Sequence, residues 1–95
     1  MSTVTRVQLD FPEDKVKELD ALMKEGEIRT RKDLFNNALT LLVWAVNETR
    51  EGRVVTSINE GQGTYKQLAM PIFDAVARNA KKKREAEREP ARARV

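Results

Sequence analysis

The sequence contains neither cysteine nor histidine. Disulfides, thiolate metal sites, zinc centres, imidazole general bases and Ser-His triads are thereby excluded. Asp, Glu and Lys alone form no recognisable catalytic constellation, so the expectation is a protein without metal or cofactor that is not an enzyme. Aromatic residues are scarce, with three Phe, one Trp and one Tyr. Long apolar runs are missing as well. The longest, Leu41 to Val46, falls far short of the roughly 18 residues of a membrane span, and no basic stretch leading into an apolar core opens the chain. A cytoplasmic location with no membrane partner is expected. Ninety-five residues make one small domain at most, and no internal repeat is visible.

What is present is charge, unevenly placed. The formal net charge is +3, yet residues 1–77 hold 10 Lys/Arg against 12 Asp/Glu while residues 78–95 hold 8 against 3. The excess of basic residues therefore sits in the tail. It reads either as a solubilising extension or as a source of attraction to phosphate without sequence information.

Thr3 to Phe11 alternates polar and apolar residues with period two and is rich in β-branched side chains, the pattern of a half-buried strand. Val7, Leu9 and Phe11 share one face, and Arg6, Gln8 and Asp10 point from the other. Pro12 ends that strand and suits the first turn of a helix, with Glu13 and Asp14 matching the helix N-terminal charge. The first helix is expected to run to about Glu25 with Val16, Leu19, Leu22 and Met23 on one stripe, and Gly26 is expected as its left-handed cap. Thr30-Arg31-Lys32-Asp33 is a variant capping box that opens a second helix. On that helix Leu34, Phe35, Ala38, Leu39, Leu41, Leu42, Ala45 and Val46 cover roughly 160°, wider than an ordinary core face. Trp44 lies outside the stripe, among Asp33, Asn37, Thr40 and Asn47. Gly52 stops the helix. Arg53 to Ile58 reads as a second strand or hairpin arm, Asn59 to Gly63 as a turn, and Tyr65 to Met70 is ambiguous. Pro71 with Ile72, Phe73, Val76 and Ala80 suggests a final short helix. A solvated tail from Lys81, helical at first, is broken by Pro90. The organisation expected is a first unit over 1–52, then 53–80 as a short strand, turn and short helix, and 81–95 as a basic flexible tail.

A lone strand leaves its ladder unpaired, and so short a unit buries too little surface to stand as a monomer. Two copies solve both problems. Antiparallel pairing of the strands closes Val7, Leu9 and Phe11 over the wide stripes of two second helices, and the outward side chains form a two-fold ribbon of a size that fits the major groove.

Through Arg6-Val7-Gln8-Leu9-Asp10-Phe11-Pro12, the first-helix pattern, and Thr30 to Leu34 leading to Ala38-Leu39, residues 3 to about 50 resemble the ribbon-helix-helix family of Arc and MetJ type repressors. The resemblance implies a fold that is α+β, mostly α, in an obligate homodimer with an intermolecular two-stranded antiparallel ribbon and a C-terminal strand and helix added. It implies base contacts from Arg6, Gln8 and Asp10, and phosphate contacts from the N–H groups of Thr30, Arg31 and Lys32. A dimer core of Val7, Leu9, Phe11, Leu34, Ala38 and Leu42 goes with it. The chemistry agrees: Arg6 can pair with guanine O6 and N7, and Gln8 with adenine N6 and N7. Asp10 departs from expectation, being either a filter that accepts from cytosine N4 or a group lying off the DNA.

The bland readings are a solvated sheet face for Arg6 and Gln8, simple capping for Thr30 to Asp33, and core packing under the C-terminal segment for Trp44. The function expected first is a sequence-specific regulator of transcription, a repressor, on double-stranded DNA, with dimers able to assemble further on it. The second is an antitoxin that binds its own promoter and also a toxin, at Trp44 or through the C-terminal half. The third is a monomeric α+β interaction module in which Arg53 to Ile58 pairs with the first strand of the same chain.

Overall fold

The computed structural model describes the backbone of residues 3–93 and the side chains of residues 3–87. The chain is α+β and mostly helical, in the order α1 (Glu13–Glu25), α2 (Arg31–Arg50), β1 (Thr56–Asn59), β2 (Thr64–Gln67) and α3 (Pro71–Ala93). It divides into two compact units, Met1–Ala38 and Leu39–Val95, the division falling inside α2.

In the first unit, the strand expected over Thr3 to Phe11 does not form within the single chain. These residues carry no regular secondary structure, all are exposed, and none of their backbone groups enters a hydrogen bond among the described residues. The cause is the lack of a partner strand among the described residues: a ladder needs a second backbone, and these groups lie exposed to solvent. Pro12 lies one position outside the helix rather than in its first turn. Its φ of −58° and ψ of 152° are those of an N-cap, and its carbonyl accepts from Lys15 N and Val16 N at 3.0 and 3.1 Å. Glu13 and Asp14 occupy the first turn and Lys24 the last, each sign on its favourable end of the helix dipole. Of the expected stripe, Val16, Leu19 and Met23 are half-buried and Leu22 is exposed.

The two helix ends use the same closure with different residues. At the end of α2, Gly52 N donates to Thr49 O at 3.0 Å and Arg53 N to Glu48 O at 2.9 Å, a Schellman motif with Gly52 in the left-handed position at φ +83°. The Arg53 guanidinium also bonds to the Glu48 carboxylate, and that bond and charge raise the Arg53 pKa above its ordinary value. At the end of α1, Glu27 N donates to Lys24 O at 3.3 Å and Ile28 N to Met23 O at 2.8 Å. The left-handed residue there is Glu27 at φ 54°. Gly26, expected in that role, has φ −90°. A Cβ there would meet the Leu22 carbonyl oxygen at 3.3 Å, a tight contact, and the Ile28 side chain at 3.5 Å, an ordinary one.

The second unit contains the rest of α2, the hairpin and α3. β1 and β2 pair antiparallel, with Ile58 opposite Tyr65 and Thr56 opposite Gln67, and Leu68 N continues the ladder to Val55 O at 2.8 Å. The pairing of Arg53 to Ile58 with the first strand, required by the monomeric module, is thus replaced by a local hairpin. Its four-residue loop is closed by Gln62 N donating to Asn59 Oδ1 at 3.2 Å and by Gly63 at φ +64°, the usual left-handed exit from such a turn. α3 starts at Pro71, as expected, but it is 23 residues long rather than short. The Lys, Arg, Ala and Glu residues after Ala80 are strong helix formers, and the helix passes Pro90, which was expected to break it.

Among the described residues, Leu34, Ala45 and Phe73 are buried while sixteen large apolar side chains are exposed. On α2 the buried face of Leu34 and Ala45 is flanked by exposed Phe35, Leu39 and Val43 on one side and Leu41 and Trp44 on the other. Trp44, at 51% exposure, is not packed away under another segment.

Because Glu27 alone of the three left-handed positions, Glu27, Gly52 and Gly63, carries a Cβ, Glu27→Gly is expected to stabilise the protein by about 0.5–1 kcal/mol. Gly52→Ala, with no atom within 4 Å of the new Cβ, should destabilise by about 1 kcal/mol through backbone conformation alone. Urea midpoints at a single protein concentration check both.

Candidate nucleic-acid interface

Two features of the first unit have the chemistry to meet a nucleic acid, residues 3–11 and the opening of α2. A stacked pair links them. The rings of Phe11 and Phe35 lie 5.9 Å apart at 27°, so the last residue before Pro12 packs one turn into α2. Exposure rises away from this anchor, from 40% at Phe11 to 59% at Leu9, 75% at Val7 and 96% at Val4. The apolar face of the alternating segment is therefore clamped at one end and uncovered along the rest. Arg6, Gln8 and Asp10 are exposed.

At the opening of α2, Thr30 Oγ1 accepts from Asp33 N at 3.1 Å, and Thr30 O accepts from Leu34 N at 3.1 Å. This half of the expected capping box forms. The backbone N–H groups of Thr30, Arg31 and Lys32 have no acceptor among the described residues, so three orphan donors remain at the positive end of the helix dipole, an arrangement suited to an anion. Asn37 Nδ2 donates to Asp33 O at 2.8 Å. The Lys32 side chain is exposed, as is Arg29 just before the cap.

One contact was not foreseen. Arg31 Nη2 lies 3.3 Å from Asp20 Oδ1, with both side chains more than half exposed. The guanidinium of Arg31, whose backbone N–H is one of the expected phosphate contacts, is therefore shared with a carboxylate of α1. Eleven residues separate the two, so no local spacing rule exposes the pair in the sequence.

Of the expected dimer core, Leu34 is buried, Leu42 is half-buried, and Val7, Leu9, Phe11 and Ala38 are exposed in the single chain. No group of three or more Asp or Glu placed to hold a metal ion occurs among the described residues, and none of their helices is long and apolar enough to cross a membrane. Comparison with family models, curated proteins and solved structures finds no match.

Removing the cap by Thr30→Ala should cost about 1 kcal/mol, while Thr30→Ser should keep most of it. Asp20→Asn breaks an exposed pair and should change stability by less than about 1 kcal/mol. Thermal or urea unfolding of the three variants checks this order.

Proposed function

We propose that the chain is a sequence-specific DNA-binding homodimer that regulates transcription in the cytoplasm by occupying an operator. In it, residues 3–11 of two copies pair antiparallel into a ribbon of the ribbon-helix-helix kind. The observation that carries the reading is the state of residues 3–11: alternating, β-branched and anchored through Phe11, yet without a backbone partner. A second copy supplies that partner. Each ladder hydrogen bond formed contributes about 0.5–1.5 kcal/mol, and each Val7 or Leu9 side chain covered contributes about 1.5–3 kcal/mol. The exposed flank of Phe35, Leu39 and Val43 on α2 gives the two copies a further apolar seam.

Pairing leaves Arg6, Gln8 and Asp10 on the outer face. Arg6 then reads guanine and Gln8 adenine by paired hydrogen bonds in the major groove, and Asp10 filters by accepting from cytosine or by repulsion from phosphate. The three orphan N–H groups at the opening of α2 hold a backbone phosphate and fix the ribbon's register on the duplex. No metal, cofactor or catalytic step enters this mechanism.

An antitoxin reading is favoured by the second unit, where Ile58 and Tyr65 stand opposite each other on the hairpin at 67% and 74% exposure. A toxin partner covering that pair would co-purify with the chain when the two are produced together.

Light scattering at micromolar concentration is expected to give a dimer, and a monomer would overturn the ribbon. Selection from a random DNA pool should return two half-sites related by symmetry. Against the selected site, Arg6→Ala and Gln8→Ala should each lose about 1–3 kcal/mol, roughly 5- to 150-fold, without loss of the dimer. Unchanged base preference in both variants would mean that the strand is not the reader.

A further inference from the structure

The second unit contains a cleft of about 370 Å³ lined by Arg50 from the end of α2 and by Val76, Asn79, Ala80, Lys83, Arg84 and Glu87 from α3. Its position follows from the helix period. Phe73, Val76 and Ala80 form the inner stripe of α3, buried or half-buried. One turn further on, the same stripe continues as Lys83, Arg84 and Glu87. The face that begins as core thus becomes ionic, and it does so where Arg50 arrives from α2.

Three cations of the described residues meet carboxylates, Lys15 with Glu18, Arg31 with Asp20 and Arg53 with Glu48. The three that line the cleft do not, although Glu87 lines it with them. Arg50 Nη1 donates to the neutral Asn47 amide oxygen at 2.6 Å, Arg84 Nε donates to the Ala80 carbonyl at 3.4 Å, and Lys83 has no ion pair among the described residues. Glu87 is near enough to line the cleft, yet it forms no ion pair with any of the three. Arg50 and Arg84 each make one such bond, and their remaining guanidinium N–H donors have no acceptor among the described residues. Three cations against one carboxylate line a cleft that also holds Val76 and Ala80; this excess raises the local potential, and an oxyanion would relieve it while accepting several charge-assisted hydrogen bonds.

We propose that this cleft is a phosphate-binding site in which Arg50, Lys83 and Arg84 hold the oxygens and Asn79 supplies a neutral polar contact. It is separate from the opening of α2, and it stands whether or not residues 3–11 read bases. Two sources present the same chemistry, a free phosphate compound and the backbone of a duplex lying against α3. The volume admits a pyrophosphate-sized group, and the open mouth admits a strand.

The test is nuclear magnetic resonance titration of the full-length protein, with sodium pyrophosphate in one arm and a 20-base-pair random-sequence duplex in the other. Guanidinium and backbone signals of Arg50, Asn79, Lys83 and Arg84 are followed in both. Shifts of these signals on adding either ligand, saturating and at least 5-fold weaker in Arg50→Gln/Lys83→Gln, are expected. Saturation with pyrophosphate alone assigns the site to a free phosphate compound, and saturation with the duplex assigns it to the nucleic-acid backbone. In the second case the double variant should also flatten the slope of log affinity against log salt by about 2. Lys66→Gln, on the hairpin, serves as the charge control. Cleft signals that do not move in either arm would overturn the proposal, as would an equal loss in Lys66→Gln, which would mark simple net charge. Retained helical circular dichroism in the double variant keeps a folding failure from being mistaken for lost binding.

Discussion

A strand is not a property of one segment, because its hydrogen-bonding groups point sideways and are completed only by another backbone. That constraint governs residues 3–11. Among the described residues no further strand is left to give them, since the hairpin consumes its own two strands locally. Pro12 cannot extend a ladder, and α1 begins immediately after it. The segment therefore has the composition of a strand and the hydrogen bonding of a loop. Phe11 holds its end in place against Phe35, so the unpaired edge is presented from a fixed point of the first unit.

The apolar excess of α2 belongs to the same problem. A helix that only covered its own chain would need one stripe, and Leu34 and Ala45 mark it. Exposed flanks on both sides of that stripe mean that its hydrophobic demand exceeds what 95 residues supply. Surface-to-volume scaling gives small domains this difficulty in general, and association is the common remedy. The resulting division of labour is simple: the cap and Phe35 serve the outer end of α2, and the rest of the helix serves packing.

Much of this was legible in the sequence. Period 3.6 and the glycine at position 52 placed both of the first two helices to within a residue or two, and Thr30 announced its cap by chemistry alone. Pro71 marked the start of α3. Other features depended on competition between signals. Gly26 drew the left-handed cap, but the Schellman closure set by Ile28 N on Met23 O placed it one residue later, on Glu27. Pro90 is a strong breaking signal, yet a run of good helix formers carries the helix past it. Tyr65 to Gln67 was too short for its alternation to speak until the ladder with β1 declared it. The Arg31 to Asp20 contact and the meeting of Arg50 with the α3 stripe are tertiary, made by residues far apart in the chain, and no local pattern encodes either. Alternation assigned Arg6, Gln8 and Asp10 to one face, whereas their base-contacting role came only from the family resemblance.

The Arg31 to Asp20 pair adds a condition to the phosphate contact proposed at the opening of α2. An anion that reached Arg31 there would meet a carboxylate already in place at 3.3 Å. A ligand that also engaged the orphan N–H groups would have several bonds to set against that one. On the proposed reading, Asp20 would thus act as a built-in competitor that favours multivalent oxyanions over simple salts.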